Sequence, residues 1–150
     1  MKTEFQTILC PVDLSALSAA ALPLGMAVAR KYGARLLLAH VVDDRFPYPD
    51  AFAWVKPAED FYKAMRKSAL EQMRKLARDH DAGGIELERV VRQGAPHEEI
   101  LLLAEERGVD LIVMSTHGRS GLDHALIGSQ AEKILRRAAC PVLTVRPERG

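Results

Sequence analysis

The chain has 150 residues, of which 48% are hydrophobic and 27% charged, and its formal net charge is +1. This size and balance are typical of one globular domain with a substantial core, and so small a charge does not favour nucleic acid or an anionic membrane as a partner. No apolar run approaches the roughly 20 residues that span a bilayer, and the first residues lack a secretory apolar region. We therefore expect one domain over residues 1–150, located in the cytoplasm.

Disulfide and metal chemistry have little support. Cys10 and Cys140 each adjoin a proline at a predicted strand boundary and belong to no C-x-x-C pair, so buried reduced thiols are expected. The five histidines show no spacing that is typical of a zinc site.

The predicted elements alternate between strands and helices. Strands are predicted at Thr7–Val12, Arg35–Val42, Ile85–Arg92, Leu111–Met114 and Pro141–Val145, and helices at about Ser18–Tyr32, Ala58–His80, Pro96–Gly108 and Gln130–Ala138. Pro23 predicts a bend or a later start in the first helix. The alternation predicts an α/β fold with a Rossmann-like open five-stranded parallel sheet and helices on both faces.

Two segments have competing interpretations. The long loop before the second main helix carries aromatic residues from Phe46 to Trp54, which could cover a ligand, contact a partner or fill a local apolar cluster. The lysines and arginines of the predicted helix Ala58–His80 are interleaved with acidic residues, which favours a solvated face over a nucleic acid stripe.

The segment after the fourth strand carries the strongest functional pattern. Gly118 and Gly121 frame a small polar turn, and Gly128 and Ser129 come immediately before a predicted helix. Backbone without Cβ atoms can approach a ligand closely, and a helix N-terminus adds partial positive charge, so the pair suits a phosphate chain. The alternative is structural: Ser129 would form a capping box with Glu132, and the glycines would serve only as turn residues.

A carboxylate is expected to face this loop. In open parallel sheets, ligands bind beyond the carboxyl ends of the strands where the strand order reverses. Asp13 follows the first strand and Val41 ends the second, so both would share one crevice with the glycine loop, in which Arg119 is the one cation. That arrangement would suit polyphosphate on one side and adenosine on the other.

These residues resemble the universal stress protein family over essentially the whole chain, and specifically its ATP-binding branch. That branch carries G-x-x-G, nine residues and then G-[ST], and Gly118, residues 119–127 and Gly128-Ser129 satisfy the longer part. Ser115 stands where the first glycine of the pattern falls. Similar segments also occur at Pro11–Ser15, His40–Asp43, Gly94–Ile100 and in the Cys140–Val145 strand.

The resemblance implies the strand order 3-2-1-4-5 for the sheet. It also implies ATP or ADP as ligand, with Mg²⁺, and a homodimer through the last strand, Pro141–Val145. It assigns Asp13 and Val41 to the adenosine end, and the ribose and phosphates to Ser115–Gly121 and Ser129–Ala131. The complete implied set of nucleotide-binding residues is Pro11, Val12, Asp13, Ser15, Val41, Ser115, Thr116, His117, Gly118, Arg119, Ser120, Gly121, Gly128, Ser129, Gln130 and Ala131.

The function implied is that of a nucleotide-dependent stress-response or regulatory protein with slow or no hydrolysis. One alternative is a dimeric member of the branch that does not bind ATP, and another is an ATP-using enzyme on the same scaffold. A Walker-type ATPase is disfavoured because the chain has no G-x-x-x-x-G-K-[ST] motif. No catalytic residue and no metal ligand are predicted.

Overall fold

The computed structural model describes residues 4–44, 58–80, 82–118 and 127–148. The strands are β1 (Thr7–Pro11), β2 (Arg35–Val42), β3 (Leu87–Gln93), β4 (Leu111–Ser115) and β5 (Val142–Val145). The helices are α1 (Ala16–Ala19), α2 (Leu22–Tyr32), α3 (Ala58–Asp79), α4 (Pro96–Glu106) and α5 (Ser129–Arg137). The sheet has the order β3-β2-β1-β4-β5, and every neighbouring pair is parallel. The predicted fold and strand order are confirmed.

The prolines and glycines set the helix boundaries. The expected first helix is divided, because α1 ends at Ala19 and α2 begins at Leu22 with Pro23 in its first turn, where a missing N–H costs nothing. Gly33 ends α2 in the left-handed conformation, with φ of 63°. Later strand boundaries differ slightly from those expected: β3 begins at Leu87 and β5 at Val142.

The central strands are buried on both faces, as their continuous apolar sequences indicate. In β1, Ile8 and Cys10 belong to the core cluster that contains Met26 of α2 and Met73 of α3. The intervening Leu9 belongs to the other cluster, which contains residues of α4 and α5. Because side chains alternate along a strand, the sheet separates α2 and α3 on one face from α4 and α5 on the other.

The strand order reverses between β1 and β4. These two strands are neighbours, with Ile8 opposite Leu111 and Leu9 opposite Ile112. The chain leaves β1 toward β2 and leaves β4 toward β5, so the two connections diverge. A crevice opens between them at the carboxyl ends of the strands.

Helix α3 is anchored to the sheet only through its second half. Ala69 and Met73 are fully buried, whereas the residues from Glu59 to Ser68 are exposed or half-buried. The first half of α3 therefore stands over the crevice at the ends of the strands. No helix in the described part of the chain is long and apolar enough to cross a membrane.

Candidate functional site

The loop after β1 presents a fixed carboxylate. Asp13 donates its backbone N–H to Ser18 Oγ over 3.0 Å, and the Ser15 backbone N–H donates to Asp13 Oδ1 over 2.9 Å. The Ser15 hydroxyl also donates to Oδ1 and accepts the N–H of Ser18, which caps α1. Leu14 between them has a positive φ of 69°. The turn at the start of α1 thus positions the Asp13 carboxylate, so the structural and the functional interpretation of this residue are compatible.

Gly118 lies directly against that carboxylate. A Cβ atom at position 118 would overlap Asp13 Oδ2 and would lie 3.1 Å from Asp13 Cγ. Gly118 has no positive φ, so the close approach rather than the backbone conformation excludes a side chain here. Gly118 and the β1 loop therefore meet across the point where the strand order reverses.

The end of β4 accommodates Ser115 without strain. Its side chain is buried, and Ser115 Oγ accepts the backbone N–H of His117 over 3.4 Å. Among the described residues other than glycine, only Leu14 has a positive φ, so Ser115 occupies ordinary backbone conformation. The next residue, Thr116, donates its backbone N–H to Val145 O at the end of β5 over 2.9 Å, and its hydroxyl lies 2.9 Å from His117 Nδ1.

Helix α5 begins against the end of β4. Its N-cap is Gly128, which donates its N–H to Thr116 O over 2.6 Å and has no side-chain capping bond. A Cβ atom at Gly128 would lie 3.0 Å from that carbonyl oxygen, so glycine permits the close contact. The alternative capping box at Ser129 is wrong, because Ser129 is the first helical residue and the Glu132 carboxylate pairs with Arg136 at 2.8 Å.

The side chain of Gln130 connects α5 to α4. Its Oε1 accepts the backbone N–H of His97 over 3.1 Å and lies 3.1 Å from His97 Nδ1. His97 is buried in the first turn of α4. This contact fixes the position of the Gln130 side chain and links the first turns of the two helices.

A cavity of about 560 Å³ occupies the crevice, within the range of small-molecule sites. Most of the sequence-predicted residues line it: Pro11, Val12, Asp13, Val41, Ser115, Thr116, His117, Gly118, Gly128, Ser129, Gln130 and Ala131. Ser15 is not among the lining residues and acts instead on the Asp13 carboxylate. Arg119, Ser120 and Gly121 lie outside the described residues, as does the Phe46–Trp54 segment.

Several lining residues were not predicted from the sequence. Phe61 and Met65 of α3 have the spacing of a core-facing stripe, yet they line the cavity, and Met65 is 41% exposed. His40 also lines it, with Nδ1 2.9 Å from Val12 O. The other unpredicted lining residues are Leu14, Ser18, Val42, Asp43, Ser68, Ala69, Gln72, Pro96, Ile100, Met114 and Ile134. Helical periodicity identified the apolar face of α3, but it did not show which part of that face lines the cavity and which part packs in the core.

Neither of the two cysteines lines the cavity. Cys10 is fully buried, and burial raises the pKa of its thiol to about 12. Burial also raises the pKa of Cys140, which is half-buried, and both cysteines are free. Within the described ranges, no group of three His, Cys, Asp or Glu side chains could hold a metal ion.

The fold and site define a doubly wound α/β protein in which a carboxylate loop and a helix N-terminus share one cavity. A model of the universal stress protein family matches residues 4–146, and the chain belongs to that family.

Relatives and solved structures of this family are similar to the chain over nearly its full length. Universal stress protein MJ0577 of Methanocaldococcus jannaschii is 29% identical over 158 residues, covering 97% of this chain and 98% of the relative. A universal stress protein of Thermus aquaticus, from the QAH/OAS sulfhydrylase 3′ region, is 35% identical over 144 residues, covering 95% and 99%. The structure of UspA from Lactobacillus plantarum superimposes with a TM-score of 0.83 at 25% identity, covering 97% of this chain and 100% of that one.

Proposed function

We propose that this universal stress protein binds an adenine nucleotide, ATP or ADP with Mg²⁺, in the cavity between β1 and β4. In this proposal the protein is a nucleotide-dependent stress-response or regulatory protein with slow or no hydrolysis. The observation that carries the proposal is the contact of Gly118 with Asp13, which sets a carboxylate opposite the start of α5 within one cavity. A nucleotide matches this pair, because its ribose carries hydroxyl donors and its phosphates are anionic.

The start of α5 supports the assignment of the phosphate end. Its N-cap, Gly128, offers no side chain to the first-turn N–H groups, and Ser129, Gln130 and Ala131 line the cavity. Orphan N–H groups and the positive end of the helix dipole favour a phosphate at such a position. Mg²⁺ would arrive bound to phosphate oxygens and retain several waters, which is the usual manner of its binding with nucleotides.

The loop after β1 supports the assignment of the adenosine end. Ser15 holds Asp13 Oδ1 in a fixed orientation, and a carboxylate is an acceptor for ribose hydroxyl groups. Val41, at the end of β2, lines the same cavity together with the apolar side chains Phe61 and Met65. Apolar walls with a few placed polar groups are typical of sites for planar ligands.

Calorimetry of the purified protein tests the proposal. Denaturing freshly purified protein should release an adenine nucleotide that chromatography identifies, and the emptied protein should give a saturable one-site isotherm with Mg-ATP. Two universal stress proteins of the same fold, 23% and 18% identical, have been solved with cAMP and AMP respectively, so both nucleotides belong in the titration. An empty protein that gives no heat would favour the branch that does not bind ATP. Steady turnover that requires a second substrate would favour an enzyme.

The variant Gly118→Val should weaken Mg-ATP binding by at least about tenfold, or 1.4 kcal/mol, because its side chain must displace the Asp13 carboxylate. Asp13→Asn, which keeps the size and removes the charge, tests the same site without overpacking. Gly25→Ala is the control, since Gly25 lies in α2 and its Cβ would find only ordinary contacts at 3.8 Å with side chains of the sheet. Wild-type affinity in a folded Gly118→Val protein would contradict the assignment of the loop.

We also infer a cytoplasmic homodimer that forms through Pro141–Val145. In the described sheet β5 pairs only with β4, so its outer edge leaves backbone groups without strand partners. Leu143 on this strand is 38% exposed. Pairing with a second copy would cover both features.

A further inference from the structure

A second surface feature lies on the opposite side of α3 from the nucleotide cavity. Helix α3 and strand β3 border a groove of about 480 Å³. We call it the basic groove, and its lining residues are Lys63, Arg66, Lys67, Leu70, Glu71, Arg74 and Arg89. At 100° per residue, these helical positions face away from Phe61, Met65 and Gln72, which line the cavity. The two sites share no lining residue.

The groove concentrates positive charge in a chain that is nearly neutral. It contains five cations and one carboxylate, an excess of four positive charges, while the whole chain has a formal net charge of +1. The remaining residues therefore carry a formal net charge of −3. Such a local excess creates a potential that attracts anions.

Pairing with acidic neighbours neutralises little of this charge. Lys63 lies 3.6 Å from Glu59 and Arg74 lies 4.0 Å from Glu71, and all four side chains are more than half exposed. Exposed ion pairs of this type are weak and contribute little to stability. Within the described ranges, the side chains of Arg66 and Lys67 form no ion pair or hydrogen bond. The middle of α3 is a solvated face, as the sequence predicts, but its cations outnumber its carboxylates.

The fold adds a fifth cation from a distant part of the sequence. Arg89 of β3 donates from Nη1 to Leu70 O over 2.8 Å, a contact between residues 19 positions apart. This bond holds the guanidinium beside the helical cations and uses one of its five N–H donors. Arginine is suited to phosphate because its planar donors match phosphate oxygens in pairs.

The chemistry of the lining distinguishes among anionic partners. Among the residues that the structure describes, Leu70 is the one apolar lining residue, and no aromatic residue lines the groove. Protein interfaces usually have aromatic or apolar anchors, and proteins that bind single-stranded nucleic acid stack bases on aromatic rings. A ligand made only of linked anionic groups needs neither. We propose that the basic groove binds a linear chain of phosphates, and this site is independent of the nucleotide site.

The length of the groove indicates a chain rather than a single ion. The lining positions on α3 run from Lys63 to Arg74. At 1.5 Å per residue this stretch is about 16 Å long. Single phosphate would contact one or two cations, whereas a chain could contact the full series.

Binding of inorganic polyphosphate to the full chain provides the test. Labelled long-chain polyphosphate is titrated by fluorescence anisotropy at several salt concentrations, with saturating Mg-ATP present and tripolyphosphate as the short competitor. We expect the long chain to bind more tightly per phosphate. The double variant Arg66→Glu/Lys67→Glu should lose at least about tenfold in affinity, and its log–log salt slope should fall by about 1 for each cation removed.

The double variant Lys75→Glu/Arg78→Glu is the matched control. It makes the same change in net charge on the same helix outside the groove, and should retain affinity within about threefold, or roughly 0.65 kcal/mol. Circular dichroism and unchanged Mg-ATP isotherms would verify folding in both variants. Equal losses in both would overturn the groove site in favour of a net-charge effect. Equally tight groove-dependent binding of polyglutamate, or tighter binding of a DNA oligonucleotide, would overturn the phosphate assignment.

Discussion

Close packing, rather than backbone conformation, explains which glycines the cavity requires. Gly118 and Gly128 have no positive φ, but a Cβ atom at either would press on Asp13 Oδ2 or on Thr116 O. Ser115 differs from them, because its backbone is ordinary and its hydroxyl accepts the His117 N–H. A motif glycine can therefore be lost at position 115 without altering the path of the chain.

The variant Ser115→Gly should change Mg-ATP affinity by less than about threefold, or roughly 0.65 kcal/mol, because the serine imposes no strain that glycine would relieve. The free energy of unfolding should fall by roughly 0.5–1 kcal/mol, the usual cost of glycine in a strand. Calorimetry and urea denaturation measure the two quantities. A gain of tenfold or more in affinity would show that the hydroxyl obstructs the ligand.

At the scale of elements, polar contacts fix α4 relative to its neighbours. Gln130 joins α4 to α5 through His97, and Arg92 of β3 contacts Glu99 at 3.2 Å and Glu106 at 2.8 Å. A second link joins Arg107, the C-cap of α4, to Glu88 of β3. These links orient α4 and α5, whose first turns border the cavity between β1 and β4.

The Glu88–Arg107 link should make stability depend on pH. The hydrogen bond from Arg107 holds the pKa of the Glu88 carboxyl below its ordinary value of 4.5, against the opposing effect of burial. Because the folded pKa is lowered, the stabilisation is present above pH 4.5 and is lost as pH falls through the folded pKa. The difference in unfolding free energy between wild type and Glu88→Gln should therefore shrink as the pH decreases below 4.5.

This effect should not exceed about 1 kcal/mol, because Glu88 is an exposed residue. Urea denaturation between neutral and acidic pH measures it. Glu105→Gln is the control, since Glu105 is exposed on α4 and forms no ion pair within the described ranges. A difference for Glu88→Gln that stays constant down to the acid transition would contradict a role for the ionised pair.

At the scale of the whole molecule, α3 separates two sites of different character. One face lines the cavity at the ends of the strands, and the opposite face lines the basic groove beside β3. The two edge strands also differ. β3 carries charged residues such as Arg89 and Arg92, whereas β5 presents Leu143. Charged edges resist strand pairing, so β5 is the better edge for self-association.

The variant Leu143→Lys should weaken the proposed homodimer, because a buried lysine would lose hydration at the interface. We expect its dissociation constant in sedimentation equilibrium to rise by at least about tenfold, or 1.4 kcal/mol. Leu24→Lys is the matched control, since Leu24 on α2 is also 38% exposed and lies away from β5. Equal dissociation constants for the two variants would contradict an interface through β5.

The sequence by itself determined the order and type of the elements. Continuous apolar runs identified the buried strands, Pro23 and Gly33 marked the limits of α2, and the alternation of strands with helices implied the parallel sheet that the structure confirms. These features depend on neighbouring residues, so local patterns reveal them. The family resemblance likewise located twelve of the residues that line the cavity, whereas fourteen others were not predicted.

Only the tertiary structure decided which side chains meet. The bond of Gln130 to His97 and the addition of Arg89 to the basic groove join residues that are distant in sequence. The sequence also did not predict that the first half of α3 is exposed over the cavity. Helical periodicity identifies the apolar face of a helix but not the element that this face packs against. Such contacts depend on how the helices pack on the twisted sheet, and one sequence carries no local signal for that arrangement.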